Sequence, residues 1–176
     1  MDFALGVVLL VSLASPAIRA APSSEAPMDG RHVRTMDPRL REVIDQGVTR
    51  SELFRDLVSR LDASDVIVYA ERECSMPEHL FGRLSFMTAA GGRRFVAVRI
   101  GCKLLGPQQI ASLGHELQHA LEIANAPSVV DELSMAAEYR RIGFASRTVR
   151  RGFDSSAAIE AGARIWAELA HTDESR

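Results

Sequence analysis

Gly114-His115-Glu116-Leu117-Gln118-His119-Ala120-Leu121 is the stretch on which the reading of this chain turns. On a helix, His115 and His119 project from one face about one turn apart, near enough for both imidazoles to hold a single metal ion. Glu116 stands to the side of that pair, where its carboxylate reaches a water at the metal without being a ligand itself. This is the HExxH pattern. Its immediate neighbours are uncharged, and Ile110, Leu113, Leu117 and Leu121 form an apolar stripe, as expected of a helix packed inside a domain. The plain alternative is an amphipathic helix carrying two structural histidines.

Upstream, Val66–Glu71, Arg83–Ala89 and Arg94–Ile100 are rich in β-branched and aromatic residues and read as three strands, the last two joined through Ala90-Gly91-Gly92-Arg93. Before them, Asp37-Pro38 caps a helix that Gly47 is expected to stop. Thr49-Arg50-Ser51-Glu52 reads as a capping box opening a second helix, with its stripe at Leu53, Phe54, Leu57, Val58 and Leu61. Gly106-Pro107 opens the HExxH helix, Ala126-Pro127 ends it, and a further helix follows up to Ile142. A last helix spans Ser155 to Ala170, and Trp166 reads as its anchor. The predicted class is α+β: a small mixed or antiparallel sheet of about three strands packed on the HExxH helix and further helices.

Phe3–Ala14 is an apolar run too short to span a bilayer and suited to the core of a secretory signal. Residues 1–20 are therefore read as a signal peptide, 21–36 as a flexible leader, 37–171 as one domain and 172–176 as a polar tail. A secreted or periplasmic location follows, with no stable membrane anchor after signal removal. In an oxidising compartment Cys74 and Cys102 are candidates for a disulfide, which would stabilise the fold by roughly 3.5 kcal/mol on the chain-entropy view. Two buried free thiols are the alternative.

Composition narrows the function. The 21 basic residues, among which Lys103 is the only lysine, are balanced by 23 acidic ones, so no net field exists to hold nucleic acid. With only two cysteines, a metal site must draw on histidine and carboxylate.

With HExxH on a helix after a small sheet, residues 64–142 resemble the zincin metallopeptidases of gluzincin type, in a minimal form. Gly-His-Glu-Leu-Gln-His-Ala, together with the later Tyr-Arg-Arg-Ile-Gly, is also similar to stretches of short exported bacterial proteins. The zincin resemblance implies Zn²⁺, and it implies a sheet-edge strand that pairs with extended substrate, a role open to Phe95–Ile100. The metzincin glycine and third histidine would fall on Glu122 and Asn125, so that branch is excluded. The third ligand must be a carboxylate farther on. Asp154 is preferred, with Glu132 and Glu138 as alternatives, although each also has a structural use as cap, dipole partner or ion pair. Glu122, one turn past His119, reads as a supporting or surface residue. Tyr139 is the candidate donor to a developing oxyanion.

The function these readings predict is an exported zinc metallohydrolase, most simply a peptidase acting on a peptide or protein, with Glu116 as general base. A non-catalytic zincin-like binding or structural module is the alternative. Oligomeric state is not legible in the sequence.

Overall fold

Asp37 begins the first helix as expected: its carboxylate accepts from the backbone N–H of Arg39 at 2.8 Å and of Leu40 at 3.3 Å, and Pro38 occupies the first turn. In the computed structural model, which describes residues 30–145 and 152–174, this helix, α1 (Pro38–Arg50), runs past Gly47. Gly47 is not a stop. A Cβ there would sit 2.8 Å from the Phe54 ring, so the glycine lets α2 (Glu52–Asp62) close onto α1. Ser51 alone separates the two helices and caps α2 by accepting from Phe54 N–H, so the cap lies two residues beyond the Thr49 that the sequence pattern suggests.

The strands are β1 (Val33–Arg34), β2 (Val66–Glu73), β3 (Gly82–Ala90) and β4 (Arg93–Gly101), in spatial order β1-β2-β4-β3. β1, β2 and β4 are parallel, whereas β3 pairs antiparallel with β4. The sheet is thus mixed, with one strand more than expected. Gly91 and Gly92, both at positive φ, form the two-residue turn between β3 and β4. Two expectations are corrected here. Residues 30–36, read as part of a flexible leader, enter the fold: Val33 and His32 are buried and Val33 pairs with Val68. Residues 1–29, including the segment read as a signal peptide, lie outside the described residues. Phe95–Ile100 is interior to the sheet, because β2 pairs with β4 on one side and the hairpin returns β3 along the other, which makes β3 an edge and leaves β1 as the opposite one.

Val66, Val68 and Ala70 of β2 alternate with Ile67 and Tyr69. The first set joins Val96, Val98 and Ile100 in the core with the helices. The helices are α1, α2, α3 (Gly106–Ala124), α4 (Glu132–Ile142) and α5 (Ser156–Glu174), the last continuing beyond Ala170. Between α4 and α5, β5 (Phe144–Ala145) and β6 (Phe153–Asp154) form a short antiparallel ribbon.

Two features position α3. At its C-terminus the buried Arg94 guanidinium donates to the carbonyls of Ile123, Ala124 and Ala126 and pairs bidentately with Asp65 at 2.6 and 2.7 Å. The helix end is thereby satisfied by a cation, as the macrodipole favours. Midway, Gly114 faces Ile165 of α5, and a Cβ there would lie 2.1 Å from Ile165 Cδ1. Glycine just before His115 is what allows α5 so close. Cys74 and Cys102 are joined by a disulfide, which ties the end of β2 to the end of β4. Among the described residues no helix is long and apolar enough to cross a membrane.

Candidate metal centre

His115 and His119 leave α3 on the face turned toward α5 and β6, with ring centroids 4.9 Å apart and planes nearly perpendicular. β6 brings Asp154 to them: its Oδ1 lies 3.4 Å from Nε2 of His115 and 3.4 Å from Nε2 of His119. All three donor atoms fall within 4.8 Å of one another. Zinc bound tetrahedrally at about 2.0–2.1 Å requires ligand atoms roughly 3.3 Å apart, so two imidazoles and a carboxylate at this spacing fit that ion.

The other two carboxylate candidates are elsewhere. Glu138 pairs with Arg141, one turn along the same helix, and Glu132 is exposed in the first turn of α4. Long-range packing, not spacing along the chain, selects Asp154. Its backbone is seated by pairing with Phe144 and by Gly143, where a Cβ would meet the Asp154 carbonyl oxygen at 2.3 Å.

Glu122 is the residue whose part the sequence underrates. Its Oε2 lies 2.9 Å from His119 Nδ1, and its Oε1 accepts from Ser155 Oγ. A proton on Nδ1 directed at Glu122 leaves the Nε2 lone pair, on the Asp154 side, free for an ion. The only local signal for this role is the i,i+3 spacing from His119. Tyr139 stands on the same far side of the ring. Its hydroxyl donates to the His119 carbonyl at 3.1 Å and lies 3.2 Å from Nδ1, deep in the core. α4 thus packs the Tyr139 hydroxyl against the Nδ1 side of His119, opposite the Nε2 atom that faces Asp154.

The charges in this cluster shape each other. Although burial pushes them up, Asp154 is held below the ordinary carboxylate range by its hydrogen bond to His119 and the charge of His115, and Glu122 by hydrogen bonds to His119, Ser155 and Tyr139. Burial lowers the His115 pKa, and the charge of His119 adds to that. For His119 burial also works downward, but bonds to Asp154 and Glu122 and the charge of Glu116 outweigh it and raise the ring to about 9. Two ionised carboxylates around two imidazoles make a field suited to a cation.

Glu116 is outside the donor cluster. It is buried, and burial pushes its carboxyl up to about 7. It lies beneath the edge strand: a Cβ on Gly82 would come within 2.8 Å of Glu116 Oε1. Among the described residues it has no hydrogen-bond donor, so its lone pairs are uncommitted.

A pocket of about 500 Å³ opens beside His115, walled by Phe81, Ala111, Ile159, Gly162 and Trp166. Trp166 is half exposed there and does not anchor α5 in the core; Ile165 and Leu169 do that.

Two histidines and an aspartate, with an adjacent non-ligating glutamate, match a zinc-dependent hydrolase site of the HExxH type typical of gluzincin metallopeptidases, here with aspartate as the third member. Compared with protein families, curated proteins and solved structures, the chain matches none.

Proposed function

We propose that the protein is an exported zinc-dependent peptidase whose metal is held by His115, His119 and Asp154. The observation that carries this reading is the convergence of Asp154 Oδ1 on both Nε2 atoms at 3.4 Å, from a part of the chain remote from α3. Bound zinc supplies Lewis-acid polarisation of an amide carbonyl and acidifies a water molecule. Glu116 takes a proton from the attacking water and delivers it to the leaving nitrogen, a shuttle its uncommitted carboxylate is free to perform. Glu122 keeps His119 in the tautomer whose Nε2 faces the ion.

Substrate is an extended peptide. β3 is the sheet edge on the side of the metal cluster, and Gly82 lies over Glu116, so a strand added to β3 would bring its backbone above the acid–base group. The apolar run Phe3–Ala14 supports secretion or a periplasmic location.

Elemental analysis and peptide hydrolysis test the reading together. One zinc per chain is expected in the wild type, with loss on His119→Ala and on Asp154→Ala but not on Glu132→Ala or Glu138→Ala. Glu116→Gln retains zinc and loses hydrolysis by 10²-fold or more. Unchanged hydrolysis in Glu116→Gln overturns the mechanism; zinc without any hydrolysis in the wild type moves the protein to a non-catalytic metal module.

A further inference from the structure

The Cys74–Cys102 disulfide stands where two connections leave the sheet. From Cys74 the chain runs through residues 75–81 to Gly82, the first residue of β3, which lies over Glu116. From Cys102 it runs through residues 103–105 into α3, the helix of His115 and His119. One covalent bond therefore joins the approach to the cover of Glu116 with the approach to the helix that carries both histidines.

Little else holds the first approach. Met76 is the one buried side chain in residues 75–81, and their internal backbone bonding is the single turn from Leu80 N–H to the Pro77 carbonyl at 2.9 Å. The Glu78–Lys103 pair that crosses from one approach to the other lies in water, where such a pair contributes little. α3 starts without a side-chain cap, and Leu105 in the cap position is exposed. The sheet does not depend on the disulfide: β2 and β4 are paired from Val66↔Arg94 to Glu73↔Gly101, and β3 is paired along β4. Cutting the bond is thus a local event. It is also an accessible one, since Cys74 is exposed and Cys102 half-buried.

We infer that this disulfide is a redox-sensitive clamp: oxidised, it fixes residues 75–82 over Glu116; reduced, it frees them and slows hydrolysis while the metal stays bound. The inference rests on the peptidase reading and names a control on that site. The reductant is a protein dithiol of the Cys-x-x-Cys class. One of its thiolates attacks Cys74 Sγ, the S–S bond breaks, and Cys102 leaves as a thiolate. The second thiol of the reductant then attacks the mixed disulfide and releases Cys74. The chain gains two electrons and two protons as a pair of thiols, and the reductant departs as its own disulfide. His79 and Phe81 lie in the freed stretch and wall the cavity beside His115, so loosening them opens the site to water.

The zinc-loaded wild-type chain is compared before and after treatment with excess reduced thioredoxin, reading amide hydrogen exchange, zinc content and peptide hydrolysis. Exchange in residues 75–82 and 102–106 is expected to accelerate at least tenfold, with Val96–Ile100 and α3 from Ile110 onward unchanged. Zinc stays, and hydrolysis falls about tenfold and returns on reoxidation. Cys74→Ser combined with Cys102→Ser should show the reduced behaviour and ignore thioredoxin. A disulfide that thioredoxin leaves intact in the folded chain overturns the inference, as does reduction that spreads exchange through α3 and releases zinc, because the bond is then only a staple of the fold. Glu116-dependent hydrolysis and exchange that are both indifferent to reduction remove the clamp and keep the peptidase. The expected exchange response in a protein that hydrolyses no peptide removes the peptidase and keeps the clamp on the loop.

Discussion

Ser155 Oγ donates a hydrogen bond to Glu122 Oε1 at 2.5 Å, across 33 residues of chain. The other oxygen of that carboxylate lies 2.9 Å from His119 Nδ1. Ser155 also caps α5 by accepting from Ala158 N–H. One carboxylate therefore fixes both the ring orientation of His119 and the loop in which Asp154 precedes the cap. The histidines of α3 and the aspartate of β6 are held in mutual register by a contact that uses neither ligand's donor atom.

Glu122→Ala is accordingly expected to lower zinc affinity by about 10- to 100-fold, the usual cost of removing a partner that orients a metal-ligating histidine. Ser155→Ala should cost less, since Glu122 still holds His119. Competition against a fluorescent zinc chelator measures both. Wild-type affinity in Glu122→Ala would show that His119 needs no such support.

Gly114→Ala places a methyl group 2.1 Å from where Ile165 Cδ1 now lies, so α3 and α5 must separate or Ile165 must change rotamer. Overpacking of this kind costs about 1–3 kcal/mol. Ile165→Val removes the offending atom, so the double variant should be more stable than the sum of the two single changes predicts. Urea unfolding of the four proteins provides the cycle. Strict additivity would mean that α5 is not packed on Gly114.

Asp65 supplies a pH signature away from the metal. Its hydrogen bond to Arg94, against the opposing effect of burial, holds its pKa below the ordinary carboxylate value. A depressed carboxylate contributes stability at pH values above its unfolded pKa, and that contribution is lost as pH falls through the folded one. Asp65→Asn should therefore be less stable than wild type at pH 7, with the gap closing below about pH 4. Denaturant midpoints at pH 7, 5, 4 and 3 measure it. A gap independent of pH would mean that Asp65 acts through shape and not through its charge on Arg94.

Local order was legible wherever a short run of residues carries its own geometry. The i,i+4 spacing of His115 and His119 puts both rings on one helical face whatever surrounds it. Asp37-Pro38 starts a helix by satisfying its free N–H groups, and Gly91-Gly92 turns a hairpin because positive φ costs glycine little. Gly47 was misread for a related reason. A glycine written in sequence looks like a stop, and only the Phe54 ring pressed against it reveals that it makes room inside a helix.

The choice among Asp154, Glu132 and Glu138 belongs to the tertiary structure. All three lie downstream of His119, but Glu138 is taken by Arg141 on its own helix, Glu132 is left in solvent, and the β5–β6 ribbon with the Ser155–Glu122 bond carries Asp154 inward. Strand order was equally hidden, because pairing β1 onto β2 and laying β2 parallel against β4 are long-range events with no local sign in Phe95–Ile100. The sequence by itself determined the two histidines and the glutamate, since one helical turn is a local geometry. Tertiary structure decided the third donor, the edge strand over Glu116 and the pocket beside His115, since each depends on which distant surfaces of the chain meet.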